Sequence, residues 1–161
     1  MRHPIPTASD AFFMNEAIRL ARRGLGSTRP NPAVGCLIVR QGKVIGRGWH
    51  RKAGGPHAEI AALQSLARPG SAWGAVFYVT LEPCSSHGRT PPCTEALIAA
   101  GAARVVVGAI DPDPRHRGLG LEILRAAGIT VTSGVLEDEC AGLNPEFHYA
   151  MSTGLPWVLA K

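Results

Sequence analysis

The sequence predicts an α/β domain built on a mixed β-sheet, and three observations carry that prediction. From His57 onward, short runs rich in Val, Ile and Leu alternate with segments of helical periodicity, the pattern of parallel strands joined by helical crossovers. Ahead of them, residues 33–40 and 44–49 flank Gln41-Gly42-Lys43, the pattern of an antiparallel hairpin. The chain has 161 residues, 45% of them hydrophobic and 18% charged, which suffices for one well-buried core and is too short for two ordinary domains.

Taken in order, residues 1–9 carry Pro4 and Pro6 and are expected to be a flexible lead-in. Ser9 or Asp10 can cap a helix running through Arg23, with Phe13, Ala17, Leu20 and Ala21 on one face and Gly24 or Gly26 ending it. After the hairpin comes a loop over 50–55, then a helix opened by Pro56, running to about Ala67 and stopped by Pro69-Gly70. Residues 75–81 form a buried strand that delivers Glu82-Pro83-Cys84 at its carboxyl end. A helix from Pro92 to about Ala100, a strand over 104–110, a Pro-rich loop, a helix over 119–127 and a strand over 129–133 follow. Residues 135–149 are predicted helical with an interruption near Asn144-Pro145, and 153–161 a turn leading into a strand.

Composition narrows the function classes. No run of 18 apolar residues exists and Met1-Arg2-His3-Pro4 lacks a hydrophobic signal core, so neither a membrane span nor secretion is indicated and a cytoplasmic protein is expected. Four cysteines are too few for a disulfide scaffold at this length. A formal charge of +5 and a pI near 9.4 admit an anionic partner. Trp49, Trp73, Trp157, two Tyr and four Phe are scattered rather than interleaved with the basic residues, so no nucleic-acid partner is expected and a phosphorylated small molecule fits the charge.

The chemistry concentrates in Pro56-His57-Ala58-Glu59 and in the stretch from Pro83-Cys84 to Pro92-Cys93, where eight residues separate the two cysteines. One histidine and two cysteines are three ligands that Zn²⁺ prefers, and a catalytic zinc leaves its fourth position to water or substrate. Glu59, two residues past a ligand, is then a spare acid able to move protons between that water and a substrate, the arrangement of zinc deaminases acting on nucleobases. Prolines before His57 and Cys93 mark the first turns of two helices, so the metal is expected between two helix N-termini, where the dipole favours thiolate at Cys93. The competing reading is a structural zinc, which would want a fourth protein ligand such as Cys36 or Cys140.

At these residues a resemblance becomes specific. Asn31-Pro32-Ala33-Val34-Gly35-Cys36, Ala53-Gly54-Gly55-Pro56-His57-Ala58-Glu59, Thr80-Leu81-Glu82-Pro83-Cys84, Gly88-Arg89-Thr90-Pro91-Pro92-Cys93, Asp111-Pro112 and Leu143-Asn144 resemble the pyrimidine deaminase domain of riboflavin biosynthesis, from about Ala11 to Lys161. That resemblance implies a three-layer α/β/α sandwich of the cytidine-deaminase type around a mixed five-stranded sheet. It also implies hydrolytic deamination of 2,5-diamino-6-(ribosylamino)-4(3H)-pyrimidinone 5'-phosphate, with zinc as the cofactor and no need of NADPH. In the family Asn31 and His50 bind the ring side of the substrate, while the positions of Ser86, Arg89 and Asp113 lie near the ribose phosphate. Family members usually have His where Ser86 stands and Asn where Asp113 stands. A carboxylate there repels a phosphate unless Asp113 pairs with Arg115 or Arg117. Many members continue into a reductase domain. This chain is expected to be the single deaminase domain over 1–161, without that reductase, forming a homo-oligomer (dimer or tetramer) and possible partner of a separate reductase. Two rivals remain open: a related deaminase with the same zinc site and a drifted pyrimidine, nucleobase or tRNA substrate, and a non-catalytic zinc-stabilised partner module.

Overall fold

The computed structural model of the protein describes residues 5–87 and 91–157. Five strands form one sheet: β1 (Gly35–Arg40), β2 (Lys43–Trp49), β3 (Val76–Leu81), β4 (Arg104–Ala109) and β5 (Thr130–Thr132). Their order is β2-β1-β3-β4-β5, with β1 antiparallel to both neighbours and β3, β4 and β5 parallel. The opening hairpin turns through Gln41 and Gly42, both at positive φ (51° and 73°), which suits a two-residue turn whose twist matches the strands. Lys43 therefore belongs to β2 and not to the turn.

Helices cover both faces. On one, α2 (Ala58–Gln64), α3 (Cys93–Ala99) and α4 (Leu119–Ala126) pack Ala58, Ala62, Leu97, Leu121 and Leu124 against Cys36, Ile38, Phe77, Val105 and Val107. On the other, α1 (Ala8–Ala21) and α5 (Glu137–Ala141) pack Met14, Ala17, Ile18 and Cys140 against Leu37, Val39, Tyr78 and Val106. The result is the three-layer α/β/α sandwich. Two glycines let helices touch the sheet: a Cβ on Gly48 would lie 2.2 Å from the Ala62 nitrogen and one on Gly35 2.0 Å from the Ala17 oxygen. Gly48 matters most for function, because it sets α2 directly onto β2 and so fixes where the start of that helix points.

Several element boundaries differ from those expected, each for a local reason. Thr7, not Ser9 or Asp10, caps α1: its hydroxyl accepts from the Asp10 N–H, and Asp10 answers by accepting from the Thr7 N–H at 2.8 Å, a reciprocal capping box. The helix after Pro56 begins at Ala58 with His57 as its cap, and the next begins at Cys93 with Pro92 as its cap, so both prolines sit just outside the helices. The first of these ends at Gln64, where the Ser65 hydroxyl turns back to the Ala62 carbonyl and accepts the Arg47 N–H of β2. The C-terminal helical segment splits into α5 and α6 (Pro145–Thr153), because Pro145 disfavours helical backbone at Asn144, which sits at φ −135°. Of the expected terminal strand, 158–161 lie outside the described residues.

Asp10 does more than cap. Its fully buried carboxylate accepts two hydrogen bonds from Arg104 of β4, each 3.0 Å, and one from the Tyr78 hydroxyl of β3, 3.1 Å. Burial pushes its pKa up, but Arg104 and the Thr7 donors outweigh burial and hold it below the ordinary carboxylate value. A depressed folded-state pKa means stability that is present above the unfolded pKa and lost as pH falls through the folded one. Asp10→Ala is expected to cost about 3 kcal/mol at pH 7, as removal of one partner from a buried ion pair does, and less in acid. Urea unfolding at pH 7 and at pH 3 checks this, and an equal loss at both would contradict it.

Candidate metal centre

The sheet topology gathers the site before any side chain is considered. Because β1 runs against β2 and β3, the lead into β1 and the exits from β2, β3 and β4 all lie at one end of the sheet. Those segments carry Asn31 and Pro32, His50, Glu82 with Cys84, and Asp111 respectively. This is the carboxyl end of the parallel strands, where open α/β sheets place ligands. Helices α2 and α3 start there too, bringing His57, Glu59 and Cys93.

Nδ1 of His57 stands 3.6 Å from Sγ of Cys84 and 3.3 Å from Sγ of Cys93, and the three ligand atoms all lie within 4.8 Å of one another. A tetrahedral zinc with nitrogen at about 2.0–2.1 Å and sulfur at about 2.3 Å requires N···S edges of about 3.5 Å. The donor set thus fits zinc in both chemistry and spacing. Cys36 and Cys140 take no part: each is buried in one of the two cores, with its thiol turned to a backbone carbonyl. Among the described residues the cluster has three ligands, the number of a site that keeps a position for water.

The electrostatics follow from who donates to whom. A hydrogen bond from the Cys93 side chain, with His57 and the Cys93 backbone N–H at 3.2 Å, brings the Cys84 thiol down to about 4 against the cost of its burial. The same pairing pushes Cys93 upward. The first N–H of α3 points at Cys84, so this helix start serves the other thiol of the cluster as well as its own. His57 is raised by its hydrogen bond with Cys84. Glu59, 3% exposed, is raised by burial to about 7, with its own backbone N–H and His57 pulling the other way.

Beside the cluster lies a cavity of about 170 Å³ lined on its polar side by Asn31, His50, His57, Glu59, Cys84 and Asp111. Apolar walls come from Val34, Leu81 and Phe147. His50 is buried, with Nδ1 2.9 Å from the Pro56 carbonyl. A carbonyl only accepts, so Nδ1 carries the hydrogen; in the neutral ring Nε2 is then an acceptor, and it is buried without a partner among the described residues. Its ring meets that of His57 edge to face at 5.5 Å.

Of the expected site residues, Asn31, His50, Glu59, His57 and Cys84 line this cavity and Cys93 completes the cluster. Ser86 is exposed and is not part of the lining. Arg89 lies outside the described residues. Asp113 is not part of the lining: it accepts from Arg115 Nε at 3.0 Å and Nη2 at 2.7 Å, and Arg115 holds its carboxyl at about 2. The sequence reading gave no role to Asp111, Glu82 or Phe147, which also line the cavity. Glu82 organises the loop beyond β4, accepting the N–H groups of Asp111 (3.1 Å), Gly118 (2.9 Å) and Gly120 (2.9 Å). Burial raises the Asp111 pKa.

A three-layer sheet that collects an imidazole, two thiols and a buried spare carboxyl at its carboxyl edge is the architecture of a zinc-dependent deaminase. Residues 7–109 match the cytidine and deoxycytidylate deaminase zinc-binding region, and the chain belongs to that family. It is 51% identical over 152 residues, 94% of its length, to the riboflavin biosynthesis protein RibD of Escherichia coli. The structure of Acinetobacter baumannii RibD superposes with a TM-score of 0.89 at 53% identity, covering 92% of this chain and 41% of that one. The Thermotoga maritima diaminohydroxyphosphoribosylaminopyrimidine deaminase/5-amino-6-(5-phosphoribosylamino)uracil reductase superposes at 0.87 with 44% identity, covering 92% and 43%. The chain spans about two fifths of the length of the bacterial relatives it matches; for the E. coli protein the share is 41%. Among the described residues no helix is long and apolar enough to cross a membrane.

Proposed function

We propose that the chain deaminates 2,5-diamino-6-(ribosylamino)-4(3H)-pyrimidinone 5'-phosphate, exchanging the ring amine for oxygen from water and releasing ammonia. The observation that carries this reading is Glu59: a carboxyl 3% exposed, lining a cavity beside a His-Cys-Cys cluster of which it is not a member. His57, Cys84 and Cys93 would hold the zinc. When bound, zinc supplies Lewis-acid activation, lowering the pKa of a water to about 7.

Glu59 takes one proton of the attacking water and passes it to the ring nitrogen next to the amine-bearing carbon. It then takes the remaining hydroxyl proton of the adduct and gives it to the departing amine, so that the carbonyl forms as ammonia leaves. A buried carboxyl that is not a metal ligand is free both to accept and to donate in that sequence. Nε2 of His50 accepts from a ring or amine N–H, and the Asn31 amide offers both a donor and an acceptor to the heterocycle edge. The similarity to RibD proteins supports the phosphorylated pyrimidine as substrate. Arg89 pairs with the phosphate. The pairing of Asp113 with Arg115 offsets its charge, which supports the usual substrate despite a carboxylate at that position. A homo-oligomer and a separate reductase acting on the product belong to the same reading.

Ammonia release from the pyrimidine phosphate, assayed beside guanine, cytosine and tRNA adenosine, tests the substrate. Activity on the free bases or tRNA alone would sink it. Arg89→Ala is expected to raise KM for the phosphorylated substrate at least tenfold more than for its dephosphorylated form, since a charge-assisted phosphate contact is worth about 1.5–3 kcal/mol. Equal effects on both forms would mean a solvent-facing arginine.

A further inference from the structure

The family match ends at residue 109, yet one wall of the cavity comes from beyond it. Phe147, on α6, lines the cavity together with His57, Glu59 and Cys84 and is the one phenyl or indole ring to do so among the described residues. Helix α6 has no fully buried residue; Phe147 is half-buried, one side against the core that contains Leu81 and Leu143 and one side in the cavity lining.

Its attachment is polar and specific. Asn144, the residue before α6, is 7% exposed and bonds twice to Ala33: Oδ1 accepts the Ala33 N–H at 2.6 Å and Nδ2 donates to the Ala33 carbonyl at 2.9 Å. Ala33 follows Asn31 and Pro32, both in the cavity lining. Nearby, Arg29 donates to Oε1 of Glu146 through Nε at 3.1 Å and Nη2 at 2.6 Å, a second tie between the same two segments. A void of about 30 Å³ lies between them, lined by Pro32, Asn144, Glu146 and Phe147 among others. The His148 ring stands edge-on to Phe147 at 6.1 Å, and its Nε2 is buried without a partner among the described residues.

We propose that Phe147 is a specificity-determining residue whose ring covers one face of the planar heterocycle, and that Asn144 is a positioning residue holding it there through Ala33. The proposal rests on the deaminase reading above. The polar residues of the cavity can read the edge of a heterocycle; a flat ring also needs a face, which an aromatic side chain supplies whichever polar groups the edge carries. Contact with a face exists before and during reaction, so its loss weakens KM and leaves kcat nearly unchanged.

The experiment uses the zinc-loaded full chain and compares the parent with Phe147→Ala, Asn144→Ala and the double variant. Steady-state ammonia release from the pyrimidine phosphate is measured, with zinc content and thermal melting as controls. Calorimetry with 2,4-diaminopyrimidine gives a binding readout independent of turnover. Expected are a KM at least tenfold higher for Phe147→Ala with kcat within threefold of the parent, a similar rise for Asn144→Ala, and a double variant no worse than Phe147→Ala alone. Diaminopyrimidine binding should weaken in step. An unchanged KM in Phe147→Ala overturns the wall, and so does equal or absent diaminopyrimidine binding in parent and variant. Independent, multiplying effects in the double variant overturn the positioning role of Asn144. Should the parent bind diaminopyrimidine through Phe147 but release no ammonia, the wall stands and the deaminase reading falls.

Discussion

Glu59→Gln is expected to keep zinc and fold while lowering kcat by about 10²–10⁴, the usual contribution of positioned acid–base transfer. The carboxyl is not among the three clustered ligand residues, so its loss leaves the metal ligands in place. Gln has the same size and no charge, and the buried Glu59 already carries a burial penalty on its ionised form, so the substitution removes a cost to folding and adds no cavity. What Gln lacks is a proton to exchange. The same carboxyl serves the attacking water, the ring nitrogen and the leaving amine, so one substitution disables each transfer. Zinc content and ammonia release measured on one preparation decide the matter. Turnover near the parent rate with zinc retained would contradict the proton-shuttle role.

What could be read from the chain alone follows the range of the interactions involved. Strand and helix periods are local, and the mixed sheet with its opening hairpin followed from them, while the three-layer arrangement came from the family resemblance. The ligand triad was legible for a different reason: few residue types bind zinc, and His57, Cys84 and Cys93 stand beside strand and helix ends whose signals are also local. Pairings between distant segments left no such trace. Asp10 with Arg104, Glu82 with Gly120 and Asn144 with Ala33 are 94, 38 and 111 residues apart, and nothing in the neighbourhood of either partner announces the other. Phe147 went unassigned for the same reason, since its place in the cavity depends on the Asn144 attachment. Even at short range, local signals compete: Ser9 and Asp10 are both good caps, and Thr7 won because Asp10 could answer it as the second half of a capping box. Asp113 shows an alternative that sequence could frame but not decide. Its arginine partner is only two residues away, and whether the carboxylate faces that partner or the cavity depends on the loop that Glu82 organises.

Removing zinc is expected to abolish ammonia release and to loosen the site without unfolding the sheet. Helices α2 and α3 have 7 residues each, too short to persist alone, and neither His57 nor Pro92 provides a side-chain cap. Each is anchored further along by apolar residues in the core: Ala58 and Ala62 in α2, Leu97 in α3. The metal would tie the start of both helices to the end of β3, so its loss frees the ends and spares the anchors. With free zinc at about 1,000 times Kd, binding to the native state alone contributes about 4.1 kcal/mol. At this chain length each kcal/mol corresponds to about 2–4 °C, so a chelated sample should melt roughly 8–16 °C lower. Readdition of zinc should restore both melting and turnover. Cys84→Ser should behave like the chelated sample, whereas Cys36→Ser, which alters a thiol turned to the Leu37 carbonyl in the core, should keep its zinc. A parent with near-zero zinc after dialysis, or zinc lost from Cys36→Ser while Cys84 is intact, would overturn the ligand assignment.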